Sequence, residues 1–168
     1  IRHQSEHMDD YKSAIKELKK LEMVYPCFCS RSDIKAEIMR AGNAPHEEES
    51  PIYPGTCRRL SKEERIEKLS IENNFAWRLN IRAASKKLGG LVWNDLRLGK
   101  HTVPVGTIGD VVLARKDVPT SYHLSATLDD HIQRIGLVTR GEDLVSSTHI
   151  HKIIQTLLEL KSPMYLHH

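Results

Sequence analysis

A chain of 168 residues, 39% hydrophobic and 28% charged, describes one soluble globular domain, or one domain carrying an insertion. It excludes a disordered or fibrous protein. A net charge of +3 is too small to argue for a nucleic-acid partner by itself, since a slight excess of Lys and Arg is ordinary on a solvated surface. No apolar run approaches the roughly 20 residues of a membrane-spanning helix. The opening "IRHQSEHMDD" has neither an initiator Met nor the apolar stretch of a signal peptide, which points to an internal piece of a longer protein.

The first predicted helix places Met8, Tyr11, Ile15 and Leu18 at three- and four-residue steps, with Ser5 as its N-cap. Pro26 and the following residues read as extended. "SRSDIKAEIMRAG" is a short helix stopped by Gly42, and Asn43 to Pro51 is a polar, acidic loop. "SKEERIEKLSIE" opens on a Ser61–Glu64 capping box and is a helix. "FAWRLNIRA" alternates Phe75, Trp77, Leu79 and Ile81, the period of a strand. "GLVWNDLRLG", "HTVPVG" and "GDVVLARKD" read as further strands between glycines. "TSYHLSATLDDH" is a helix and "RIGLVTRG" a buried strand. "STHIHKIIQTLLELK" is a helix with Ile150, Ile153, Ile154, Leu157 and Leu158 on one stripe, ended by Ser162-Pro163. The closing His167-His168 pair is given no role.

The chemistry concentrates in three cysteines. Two are crowded into "YPCFCSR", and Cys57 follows in "IYPGTCRR". An odd number without signs of secretion argues against a disulfide framework. In an extended segment, residues i and i+2 share a face, so Cys27 and Cys29 can reach one ion, and Cys57 adds a third soft ligand of the kind zinc prefers. Three reduced thiols packing as small hydrophobes explain the same pattern. For a fourth ligand, chemistry alone favours His46 in the acidic loop over Tyr53, although Pro54-Gly55 can turn the phenol back toward Cys57. His149 and His151 stand about 200° apart on a helix and cannot share a metal.

The stretch from Gly109 to His168 resembles the second half of the catalytic domain of glutamyl-tRNA synthetases, class I aminoacyl-tRNA synthetases with a Rossmann-type core. Tyr122, Asp129-Asp130-His131 and Arg140-Gly141-x-Asp143-Leu144 carry the match. "YPCFCSR … YPGTCR" is similar to the narrower glutamyl-Q tRNA(Asp) synthetase family, whose Cys-x-Cys, loop, Tyr-x-x-x-Cys pattern surrounds a zinc. That resemblance selects Tyr53 over His46. It implies an α/β fold: a partial Rossmann-type class I synthetase catalytic domain with a zinc-stapled, strand-containing insertion. Residues 1–24 would form a catalytic-domain helix, 25–107 the zinc-binding insertion and acceptor-side subdomain, and 108–168 the second part of the Rossmann-type domain. Cys27, Cys29, Tyr53 and Cys57 would hold one structural zinc.

The same resemblance implies a cytoplasmic, monomeric ligase that takes glutamate, ATP with Mg, and tRNA(Asp), and passes activated glutamate to queuosine. Tyr122 and Arg140 would bind the glutamate, Arg140 through a bidentate fork on its carboxylate. Read without the resemblance, they are a core Tyr and a surface Arg paired with Asp143 or Glu142. No catalytic residue is assigned. The family's two ATP-phosphate motifs lie outside these residues, and "EKLSIE" imitates one of them only superficially. Asp117-Val118-Pro119 replaces the family's usual Asp-Gly turn. A fragment of a discriminating glutamyl-tRNA synthetase and a zinc-stapled RNA-binding module without catalysis are the rival readings.

Overall fold

The computed structural model of the chain describes residues 2–40 and 52–168. Gly42, His46 and the loop from Asn43 to Pro51 therefore lie outside the described residues.

Helix α1 (Met8–Lys20) buries Tyr11, Ala14, Ile15 and Leu18. Asp9 and Asp10 sit in its first turn and Lys19 and Lys20 in its last, each sign at the end the helix dipole favours. Ser5 does not cap it. Ser5 lies in a 3-10 turn, Gln4–Glu6. Arg2 and Gln4 are drawn onto the buried Asp129, so the chain enters the helix only at His7.

Strand β1 (Val24–Cys27) pairs antiparallel with β2 (Ala76–Leu79), and β2 with β5 (Val112–Arg115), a three-stranded sheet. Between β1 and β2 come α2 (Arg31–Arg40), a 3-10 turn at Thr56–Arg59, and α3 (Lys62–Ile71). The expected capping box is present: Ser61 Oγ accepts from the Glu64 N–H at 3.1 Å, and the Glu64 carboxylate accepts from the Ser61 N–H at 2.7 Å. The β2 strand, expected to run through Ile81, stops at Leu79. Asn80 Oδ1 accepts the Ala83 N–H and Asp110 Oδ1 the Ile81 N–H, both at 3.0 Å. Two of the free donors of a helix start are thereby satisfied, and the chain turns into α4 (Ile81–Leu88).

A second sheet has the order β4-β3-β7-β6. Strands β3 (Val92–Asp95) and β4 (Gly99–Thr102) form a hairpin, closed where Asp95 Oδ1 accepts the N–H groups of Arg97 and Leu98. The stretch expected as a strand from His101 pairs through Thr102, with the Val103 N–H still donating to the Leu91 carbonyl at 2.9 Å, and ends there because Pro104 opens a turn onto Thr107. Helix α5 (Tyr122–Ile132) leads to β6 (Leu137–Arg140), α6 (Val145–Leu157) and β7 (Met164–His167). Strands β6 and β7 are parallel, with Arg140 opposite His167, and β7 also pairs parallel with β3 at Asp95. Strand β6 lies at the sheet edge with Leu137 44% exposed, so it is not the fully buried strand expected. Helix α6 stops at Leu157, short of Ser162-Pro163, and the residues after that proline form β7. Nothing periodic in "MYLHH" announces a strand; pairing to two neighbours distant in sequence makes it one.

Helices α1, α5 and α6 end alike. Glu22, Arg134 and Glu159 adopt φ of 57°, 57° and 55°. The N–H of the following apolar residue then bonds back into the helix: Met23 to Leu18, Ile135 to Asp130, Leu160 to Gln155. The main core joins α1, β2, α4, β5, α5 and α6 through Tyr11, Leu18, Leu79, Ile81, Leu113, Leu124, Ile153 and Ile154. A separate small core consists of Tyr25, Cys27, Tyr53 and Cys57.

Candidate metal centre and carboxylate site

Strand β1 delivers Cys27 into the small core, and the chain beyond it brings Cys29 back to the same place. The Thr56–Arg59 turn delivers Cys57. The sulfur atoms of the three residues lie within 4.8 Å of one another. Cys29 and Cys57 are 3.4 Å apart, and the Tyr53 hydroxyl stands 3.3 Å from Cys27 and 3.6 Å from Cys29. Gly55, at φ 79°, makes the turn that folds Tyr53 onto Cys57, whose N–H donates to the phenol oxygen at 2.9 Å. A Cβ there would also strike the Arg58 guanidinium at 2.6 Å.

These residues fit a tetrahedral ion. Zinc–sulfur bonds of about 2.3 Å set ligand separations near 3.8 Å, roughly the spacing present. Phe28 N–H donates to Cys57 Sγ at 3.4 Å, and the Arg78 guanidinium lies 4.0 Å from the Tyr53 ring centroid, so positive groups face the thiol cluster. Hydrogen bonding from Cys57 draws the Cys27 thiol down to about 5 against its burial, and Cys57 is pushed up in turn by that bond and by burial. Burial chiefly raises Tyr53. One thiolate therefore forms readily, and a cation is needed to hold three. His46, the rival ligand, lies outside the described residues.

Asp110 links this small core to the rest. Its carboxylate accepts from the Tyr25 hydroxyl, from Arg58 Nη1 at 2.7 Å and from the Ile81 N–H. Its carbonyl accepts from Arg78 at 2.7 Å. Beside it opens a cleft of about 800 Å³, lined among others by Tyr53, Arg78, Asp110, His123 and His149.

Arg140 ends β6, at the carboxyl end of a parallel strand, where ligands gather in doubly wound sheets. Its Nε–H donates to His167 Nε2 at 3.2 Å. Its Nη1 donates to the Tyr122 hydroxyl at 3.2 Å and to His151 Nδ1 at 3.3 Å, and its Nη2 to Thr148 Oγ1. Four of its five N–H groups are thus committed to neutral acceptors, leaving one on Nη2. Among the described residues no carboxylate pairs with it. Glu142 pairs with Arg97 instead. Tyr122, 48% exposed, accepts from Arg140 and so keeps its own hydroxyl proton to offer outward.

Tyr122 and Arg140 stand out in the sequence, but the shell behind them, Asp95, Thr148, His151 and His167, does not. His167, set aside as a terminal residue, is fully buried. The only signal was its type, an ionisable residue two positions after Tyr165. His149 and His151 diverge as expected: His149 Nδ1 accepts from the Trp93 indole at 3.0 Å, while His151 faces Arg140. "EKLSI" lies within α3. Asp129 is structural, accepting from Arg2, Gln4 and Tyr11. Burial raises the half-buried Asp130 carboxyl, with Arg140 pulling it back.

No helix among the described residues is long and apolar enough to cross a membrane. A family model of class I tRNA synthetases (E and Q), catalytic domain, matches residues 1–168. Glutamyl-Q tRNA(Asp) synthetase of Rhodobacter capsulatus is 38% identical over 174 residues, spanning 98% of this chain and 60% of that protein. Glutamate--tRNA ligase 2 of Syntrophus aciditrophicus is 29% identical over 98% of this chain and 32% of its own length. The crystal structure of a glutamate-tRNA synthetase from Elizabethkingia anophelis superposes with a TM-score of 0.80 at 25% identity, over 98% of this chain and 33% of that one. The chain therefore spans three fifths or less of these relatives.

Proposed function

Because the chain belongs to the class I tRNA synthetase family (E and Q), as catalytic domain, we propose that the protein is an ATP-dependent ligase that activates glutamate and passes it to tRNA. The observation that carries the choice of amino acid is Arg140: a guanidinium at a strand's carboxyl end, surrounded by neutral acceptors, beside a hydroxyl free to donate. A glutamate carboxylate would take the remaining Nη2 N–H and the Tyr122 O–H. The amide of glutamine would bring its NH₂ against donors at one of those places, and that mismatch favours glutamate.

The finer reading is transfer to queuosine in the anticodon of tRNA(Asp), in the cytoplasm, by a monomer using ATP with Mg. It is supported by the Cys-x-Cys … Tyr-x-x-x-Cys pattern and by the higher identity to the glutamyl-Q relative than to the glutamate–tRNA ligase, 38% against 29%. The same comparison does not favour a discriminating glutamyl-tRNA synthetase, and family membership does not favour an RNA-binding module without catalysis. Cys27, Cys29, Tyr53 and Cys57 would hold one structural zinc with no position left for a reactive water. In this reading residues 25–107 are the stapled insertion, and 1–24 and 108–168 belong to the catalytic core.

The test uses the full-length protein, ATP, labelled glutamate, and tRNA(Asp) with and without queuosine. Label on the queuosine-containing tRNA alone is expected. Charging of tRNA(Glu), or of tRNA(Asp) lacking queuosine, overturns the finer reading. Arg140→Ala should weaken glutamate-dependent pyrophosphate exchange about a hundredfold, since a buried, charged partner is left unmet. Unchanged exchange would make Arg140 structural.

A further inference from the structure

Arg140 has a backing of its own. His167, fully buried on β7, lies opposite it in the sheet, and His167 Nδ1 is 2.7 Å from Asp95 Oδ2. Asp95, also buried, accepts from the N–H groups of Arg97 and Leu98 on one oxygen and from the His167 N–H on the other. Burial alone would raise this carboxyl; those backbone donors and the His167 ring hold it below its ordinary range instead. An acceptor-only carboxylate at Nδ1 places the imidazole proton there and leaves Nε2 as a lone pair. That lone pair receives the Arg140 Nε–H at 3.2 Å and stands 3.0 Å from Thr148 Oγ1, which bonds Arg140 Nη2.

From this chain of contacts we propose that Asp95 and His167 are a positioning pair for Arg140. Asp95 selects the imidazole tautomer, and His167 aims the guanidinium so that its one uncommitted N–H faces the substrate carboxylate beside Tyr122. The inference rests on the reading of Arg140 as the carboxylate-binding residue. Neither member of the pair touches the substrate; their effect is on which N–H points where. Three strands cooperate to build it, since Asp95 comes from β3, His167 from β7 and Arg140 from β6.

Asp95→Asn is the sharpest test. Its amide nitrogen in place of Oδ2 would be a donor facing the Nδ1 proton. The ring would move that proton to Nε2, and two donors would then oppose each other at Arg140. The KM for glutamate in pyrophosphate exchange by the full-length protein should rise tenfold or more, the discrimination against glutamine should fall, and the KM for ATP should hold within about twofold. His167→Leu should do the same, and His167→Gln, whose terminal oxygen can stand near the Nε2 position, should recover most of the loss. Nitrogen-15 chemical shifts of His167 in the unaltered protein give a readout that needs no variant to fold: Nε2 is expected to be the unprotonated nitrogen. A protonated Nε2 there, or wild-type glutamate KM and selectivity in folded Asp95→Asn, overturns the positioning pair. If Arg140→Ala itself leaves the glutamate KM unchanged, the reading of Arg140 fails first, and the two failures are told apart.

Discussion

The region around α6 and the region around the thiols reach burial by different means. Helix α6 packs Ile150, Ile153, Ile154 and Leu157 into a continuous apolar core, and the cost of its buried His and Gln side chains is carried by that packing. Among the described residues, the thiol region has only Tyr25, Cys27, Tyr53 and Cys57 fully inside, with Phe28, Cys29, Ile34 and Leu60 around them. So small a cluster removes little apolar surface from water, and the proposed zinc, held by four side chains, would be the substitute. Order comes from packing on one side and, with the proposed zinc bound, would come from coordination on the other.

The strongest way to break that contrast is to remove the proposed metal. A chelator, or Cys57→Ser, should forfeit on the order of 10 kcal/mol of metal-linked folding energy locally. Hydrogen exchange should then accelerate in β1 and in the Thr56–Arg59 turn while α6 stays protected. Loss of protection in α6 as well would mean that the two regions fold as one. Asp110→Asn tests the joint between them. It leaves Arg58 and the Tyr25 hydroxyl without their shared carboxylate, at a cost of about 3 kcal/mol, and thermal unfolding with exchange should show both regions weakened together.

Acid should act on the α6 side through its buried histidines, and on the thiol side by protonating the Cys27 thiolate. Burial chiefly depresses His151, to about 2, and lowers His123 and His149 as well. Unfolded histidines take up protons below about 6.5. The unfolded state therefore binds more protons than the folded one as pH falls, and stability present above that value is lost below it. For His151 the loss at pH 5 is about 2 kcal/mol, and His151→Leu should flatten the dependence of unfolding free energy between pH 7 and pH 5.

What sequence could say follows the same division. Local chemistry was legible in the Ser61–Glu64 box, the turn at Pro54-Gly55 and the convergence of Cys27, Cys29 and Cys57, whereas Tyr53 beside them was selected by the family resemblance, chemistry alone favouring His46. The misses that bear on the site are made by distant partners. Helix α4 begins because Asp110 reaches the Ile81 N–H, and alternation through Phe75, Trp77 and Leu79 cannot report that. Strand β7 exists because β3 and β6 leave a place for it, and His167 gains its environment only there. Tyr122 and Arg140 do meet, but the acceptors that occupy most of the Arg140 fork were invisible without the sheet register.

The three helix endings at Glu22, Arg134 and Glu159 leave the protein with an unused reserve. Each places a side chain in the left-handed conformation that a residue with a Cβ enters only at a penalty, and each is exposed. Glycine at these positions would relieve that strain by more than it adds to the freedom of the unfolded chain, for about 0.5–1 kcal/mol apiece. The three lie on separate helices, so the gains should sum in a triple variant. Such a background could then carry costly substitutions in Asp95, Arg140 or the thiols that the parent sequence would not survive, and let their chemistry be measured in a folded protein.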